Sequence, residues 1–200
     1  MKCSRLPLLL PFLSDASPLS TRPEASRTIF SLFEDLKGYL SDQSVATAAK
    51  YMLSHSNFLD RANLISCEQL SVRVCPGDIC FIDFGCAYRN EAGYQHFGII
   101  LSIVHSKAFV VPMTSNPSTF AQAYDETLLP NGKRHLMRIG KQNGMNKESV
   151  LFLNDCKFIN TSRIIEVKGH LDTEGVLFSC IREKVKECLF HPHADLTEFM

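Results

Sequence analysis

The chain carries no excess charge of either sign: Lys and Arg number 21, Asp and Glu 21, over 200 residues. That balance excludes a protein that wraps nucleic acid through a global positive field, so a phosphate-bearing partner must be met by a local basic patch. No run of about 18 consecutive apolar residues occurs, and no membrane-spanning helix is expected. Eight cysteines stand at 3, 67, 75, 80, 86, 156, 180 and 188, yet none forms a Cys-x-x-Cys pair. Their spacing does not suit a small disulfide scaffold, and several lie inside apolar runs. Cys75, Cys80 and Cys86 are therefore read as packing residues of a reduced, cytoplasmic protein. Cys188, His191 and His193 bring ligand types together, but without a second pair they are not taken as a zinc site. Gly85, Gly93 and Gly98 are followed by neither a Lys-Ser/Thr pair nor a helix start, which excludes a phosphate cradle and leaves them as turn residues. Internal repeats are absent. Lys2 and Arg5 flank a short apolar start, but Pro7 and Pro11 break it and no cleavage site follows, so secretion is not expected.

What is present is an ordinary globular composition, with 45% hydrophobic and 21% charged residues. Residues 1–23, with Pro7, Pro11, Pro18 and Pro23 among serines, are expected to be irregular. Residues 24–75 read as a helical extension. Ile29, Phe30, Phe33, Leu36 and Leu40 recur at helical spacing, and Val45, Ala48, Ala49, Met52 and Leu53 do so after a break at Ser41–Ser44, which predicts a helical hairpin. Its apolar face is expected to be buried, against the remaining domain or a neighbour.

After Pro76 and Gly77 the period changes. Runs rich in β-branched and aromatic residues at 78–84, 97–104 and 108–113 predict strands, and shorter candidates follow at 136–139, 149–153, 157–159 and 163–167. Short strands at close intervals imply a small barrel or sandwich. Leu177, Cys180, Ile181, Lys184, Val185 and Cys188 repeat at three and four, predicting a closing amphipathic helix capped by Asp172 or Thr173. The fold expected is α+β, mainly β, with the barrel domain over residues 76–200.

Gly77, Asp78 and Ile79 open the first strand and Asp83, Phe84 and Gly85 close it. Asn90, Glu91, Gly93, Gln95 and His96 follow in the loop, and Val111, Pro112, Met113, Thr114 and Ser115 end the third strand. In this order the residues resemble the PemK/MazF family of bacterial toxins, sequence-selective endoribonucleases built on a small antiparallel barrel. Leu151–Asp155, Lys157–Ile164 and Gly169 are similar to the family's later strand pair, so the resemblance covers residues 76 to about 190. The first 75 residues gain no support from it.

The resemblance implies cleavage of single-stranded RNA in which the ribose 2′-hydroxyl attacks the adjacent phosphate. That reaction needs a base, an acid and donors toward the phosphoryl charge, and neither metal nor cofactor. His96 stands where the family commonly has an arginine, and an imidazole with a pKa near ~6.5 can exchange protons at neutral pH. It is the expected general acid or base, with Thr114 and Ser115 donating to phosphate and Glu91 orienting the ring; Asp78 and Asp83 are further candidate orienters. Lys157 stands where the family often has an arginine, ahead of Arg89 and Arg163 as the phosphate cation. Tyr94, Gln95 and Asn116 complete the expected RNA contacts. Lys133, Arg134, Arg138, Lys141 and Lys147, in a stretch without acids from Asn131 to Lys147, form the best phosphate-tracking surface, with Tyr88, Tyr94, Phe97 and Phe120 as stacking platforms. The resemblance also implies a homodimer and a cognate antitoxin. A gyrase-directed, non-catalytic toxin on the same barrel is the alternative.

Overall fold

The computed structural model describes residues 6–125 and 127–190. The chain divides into two compact units, residues 1–49 and 50–200. In the first, residues expected to be irregular contain short helical turns, α1 (Leu6–Leu9) among them. There Arg22 Nε meets Asp15 Oδ2 at 2.9 Å. Pro23 then opens α2 (Pro23–Ser41), where a fixed φ and a missing N–H cost nothing. The helix α3 (Val45–Arg61) begins in the first unit and continues into the second. Phe30 and Phe33 of α2 and Met52 and Leu53 of α3 remain half exposed or more, so the expected burial of an apolar helical face is not observed.

In the second unit, alternating and β-branched residues build β1 (Asp78–Asp83), β2 (Gln95–Val104) and β3 (Lys107–Thr114). A short helix, α4 (Pro117–Phe120), leads to β4 (Ala123–Tyr124), β5 (Lys133–Lys141), β6 (Glu148–Phe152), β7 (Lys157–Asn160) and β8 (Ile164–His170). The closing helix is α5 (Val176–Phe190). It starts later than the expected caps because Asp172 instead shapes the preceding turn, accepting from the Glu174 amide at 3.0 Å. The strands form one sheet in the order β4-β5-β6-β3-β2-β1-β8, with β7 paired to the first half of β3. All pairings are antiparallel except β4 with β5, a two-residue strand too short to register in a sequence pattern.

One sheet face buries Ile79, Ile99, Val111, Met113 and Leu151 against Phe178, Ile181 and Val185 of α5. The other holds Cys80, Ile82, Ile100 and Val110 beneath Ile159 of β7 and Ile164 of β8. The second core lies beneath β7 and β8, but no ladder joins these two strands, so the sheet of the expected small barrel is not closed. The 3₁₀ turn Thr161–Arg163 connects the two strands, and Arg61 of α3 donates to the carbonyls of Ser162 at 3.0 Å and Ile164 at 2.9 Å.

Candidate functional site

The loop between β1 and β2 is pinched at its base. Phe84 N–H donates to Tyr94 O at 2.8 Å and Tyr94 N–H to Gly85 O at 2.6 Å. Gly85 turns there with φ +79°, while Tyr94 holds φ +56°, a left-handed backbone uncommon for a bulky side chain. Beyond Tyr94 the chain enters β2, where Gln95 and His96 must face opposite ways because side chains alternate along a strand.

That alternation separates two predicted RNA-site neighbours. Gln95 turns to α3: its Nε2 lies 2.8 Å from Ser54 Oγ and 3.2 Å from Asp83 Oδ2. Asp83, almost fully buried, also accepts from Ser54 at 2.7 Å, Asn57 at 2.6 Å and the Gly85 amide at 2.9 Å. Burial alone would raise the Asp83 carboxyl, but the donors Asn57, Ser54, Gly85 N–H and Gln95 outweigh it and hold it below its usual range. Gln95 and Asp83 thus clamp α3, so the structure places the expected RNA contact Gln95 and the candidate orienter Asp83 together on the side of the sheet away from His96.

His96 lies on the other face. It pairs with Ile82 of β1, and continuing the β2–β3 register of Gly98 with Pro112 and Phe97 with Met113 by one step sets it across from Thr114. The β2–β3 ladder ends at Phe97 and Met113; beyond it His96 stays paired with β1 and Thr114 with β6. Thr114 pairs onward with Val150, and Val150 with Arg138, extending the same row across β6 and β5.

His96 Nδ1 lies 2.6 Å from Gly93 O. A carbonyl only accepts, so Nδ1 carries the proton and Nε2 keeps its lone pair. Burial lowers the pKa of the imidazole, the Gly93 carbonyl opposes this, Lys50 lowers it further and Asp155 raises it, with a net downward result. Its imidazole is thus held below the ordinary histidine value. Its acidic limb is expected below 6.5, the ordinary histidine value, so a rate that needs the neutral ring falls only at lower pH. An acidic limb above 6.5 in kcat/KM, lost on substitution of His96, would contradict this assignment.

Glu91 is exposed and accepts from the Tyr88 amide at 3.1 Å within its own loop. The Gly93 carbonyl, not Glu91, holds the His96 ring, which corrects the expected orienter. Asp78 lies at the far end of β1 and does not serve His96 either. The acid that sequence reasoning missed is Asp155. It accepts from the Ala92 amide through Oδ2 and meets Lys157 Nζ at 2.7 Å through Oδ1, bracing the loop and the cation together. The i, i+2 placement of Asp155 and Lys157 is the signal that could have indicated it. Lys157 also stands 5.7 Å from the centre of the Phe84 ring.

Thr114 Oγ1 accepts from the Asn116 amide at 3.2 Å, and Ser115 beside it is exposed. Asn116 caps α4, accepting from Ser118 N–H at 2.9 Å, which occupies the side chain expected to touch RNA. Arg89 is exposed in the loop and Lys133 exposed at the start of β5. Arg163 donates to Asp83 O at 3.2 Å. In the basic stretch, Arg134 lies over the Tyr124 ring, while Arg138 lies over Phe120 and binds Asp125 at 3.1 Å. Both line a hollow of about 340 Å³ with Lys184. Two of the thiols read as packing, Cys75 and Cys86, are exposed; Cys80 is buried, as expected, with its pKa pushed up to about 12 by burial. His191 and His193 lie outside the described residues.

Among the described residues, no helix is long and apolar enough to cross a membrane. No protein-family model matches the sequence, and no curated protein matches it. Similar solved structures include MazF from Deinococcus radiodurans, with a TM-score of 0.44 at 15% identity over 59% of this chain and 97% of that one. The MazE–MazF structure from the same organism gives 0.40 at 15% identity over 58% and 95%. The Mycobacterium tuberculosis toxin MazF-mt6 gives 0.37 at 15% identity over 55% and 93%. Likeness at this level carries no argument about chemistry, which rests on the residues of the site.

Proposed function

We propose that the chain is the toxin of a type II toxin–antitoxin pair and cleaves single-stranded RNA without a metal. The observation that carries this reading is His96, its Nδ1 at 2.6 Å from the Gly93 carbonyl, one residue beyond the Phe97–Met113 end of the β2–β3 ladder, with Thr114 one residue beyond it on β3, where the residue order resembles that of the PemK/MazF toxins. His96 Nε2 takes the proton from the ribose 2′-hydroxyl as the 2′-oxygen bonds to phosphorus. The bond from phosphorus to the 5′-oxygen breaks, and that oxygen takes a proton from water, leaving a 2′,3′-cyclic phosphate and a 5′-hydroxyl. Thr114 and Ser115 hydroxyls donate to the phosphoryl oxygens, and Lys157 supplies the positive charge that guanidinium supplies in the family. Arg89, Tyr94, Lys133, Arg134 and Arg138 guide the flanking strand. A homodimer and a cognate antitoxin belong to the same proposal.

End-group analysis of RNA incubated with purified protein and chelator tests it: cyclic-phosphate products are expected. Intact RNA together with arrested supercoiling by gyrase would replace the nuclease with the non-catalytic alternative. Lys157→Gln is expected to weaken RNA binding and to lower the slope of log affinity against log salt by about 0.7, the share of one phosphate contact on a single strand. Filter binding across a salt series measures this, and an unchanged slope would remove Lys157 from the phosphate path.

A further inference from the structure

At the end of β1 away from His96, three ligand-type side chains of no part in the proposed cleavage converge. Asp78 and Asp83 are the two ends of the six-residue strand β1, about 17 Å apart. Cys75, Pro76, Gly77 and Asp78 form a turn closed by Asp78 N–H donating to Cys75 O at 3.2 Å, with Gly77 at φ +93° after proline, the geometry of a type II turn. The turn is pressed onto the end of β8. Gly77 N–H donates to Ile100 O and Leu171 N–H to Gly77 O, each at 2.8 Å, and a Cβ at Gly77 would stand 2.9 Å from His170 Cε1. The first and last residues of the turn thereby present Cys75 Sγ and the Asp78 carboxylate to His170.

The ligand atoms of these three residues lie within 4.8 Å of one another. Asp78 Oδ1 accepts from His170 Nδ1–H at 2.8 Å, and Cys75 Sγ stands 4.0 Å from the same nitrogen. Tetrahedral zinc, with bonds of about 2.3 Å to sulfur and about 2.0 Å to nitrogen and oxygen, sets these edges at about 3.3 Å and about 3.6 Å. Movements of about half an ångström convert one arrangement into the other. The carboxylate is already oriented, because Asp78 Oδ2 accepts from the Cys75 amide at 2.8 Å. Asp78 is buried, whereas Cys75 is exposed and the His170 side chain half exposed, so an ion has both a fixed anchor and a path from solvent.

We propose that Cys75, Asp78 and His170 bind a zinc-class divalent cation that staples the start of β1 to the end of β8. Thiolate and imidazole select a borderline-soft ion over magnesium or calcium, and solvent completes the fourth position. Binding releases the Cys75 thiol proton, and coordination through His170 Nδ1 leaves the ring N–H on Nε2. Cobalt(II) is the probe, titrated into full-length, reduced, metal-stripped protein. One equivalent is expected to give a thiolate-to-cobalt charge-transfer band, displaced by zinc. Cys75→Ser abolishes the band and His170→Ala weakens cobalt binding at least about tenfold, while Cys86→Ser and Cys180→Ser, which remove other exposed thiols, leave it intact. Zinc at a hundredfold excess over its Kd raises the Tm of the parent by about 5–10 °C and leaves Cys75→Ser unmoved. Metal-free melts of each variant verify folding, and Asp78→Asn serves as a second probe of the trio if His170→Ala does not fold. No band in the parent, or a band that survives Cys75→Ser, overturns the assignment. Neither readout involves RNA, so the outcome is independent of the cleavage proposal.

Discussion

His96→Ala is expected to lower RNA cleavage by about 10²- to 10⁴-fold with little change in Tm, the range for losing a positioned general base. The loss follows from the ring's tautomer: with Nδ1–H fixed on Gly93 O, Nε2 is the basic atom left to the reaction, and alanine leaves no group to receive the 2′ proton. His96→Gln fills similar space and is expected to be as inactive, because an amide does not exchange protons near pH 7. Free imidazole added to the alanine variant restores part of the rate, which a merely structural histidine would not produce. Single-turnover assays of the three proteins measure this, and a glutamine variant with parental kcat would remove His96 from proton transfer. The same pKa direction bears on stability. A ring held below its unfolded value leaves the unfolded chain with more protons as pH falls through 6.5, so folding weakens on that side.

Asp83→Ala is expected to cost about 3 kcal/mol and to lower Tm by about 6–12 °C, measured by denaturant titration and by thermal melts. One carboxylate accepts from Ser54, Asn57, Gly85 N–H and Gln95, and its removal takes the shared acceptor from all four donors at once. Asp83→Asn is expected to be milder, since it keeps one acceptor oxygen but turns an amide toward the donors. A parental Tm in the alanine variant would show that α3 is held by other means. The clamp also has a pH signature. A carboxyl held below its ordinary value of 3.8 contributes stability above that pH, and the contribution is lost as pH falls through the lower folded-state value.

The legible parts of the fold were those encoded locally. Runs of Ile, Val and Phe mark β1, β2 and β3 because each strand carries its burial pattern within a few neighbouring residues. His96 and Thr114 were legible for the same reason: each ends a strand, and consecutive strands pair. Gln95 was misassigned although period-2 alternation already sends it to the face opposite His96. Asp155 was missed because its partners, Ala92 and Lys157, come together only when the loop folds onto the start of β7. The bonding of the β7–β8 turn had no local signature, since its donor is an arginine on a helix far upstream. Cys75 looked like packing in an apolar neighbourhood, and only the turn at Gly77 brings it to His170 at the surface.

The guanidinium of Arg61 reaches a carbonyl 101 residues further along the chain. A contact between partners so far apart in sequence carries a larger loop-closure entropy than a local turn, so Arg61 ties α3 to the start of β8 by a bond that neither segment can form alone.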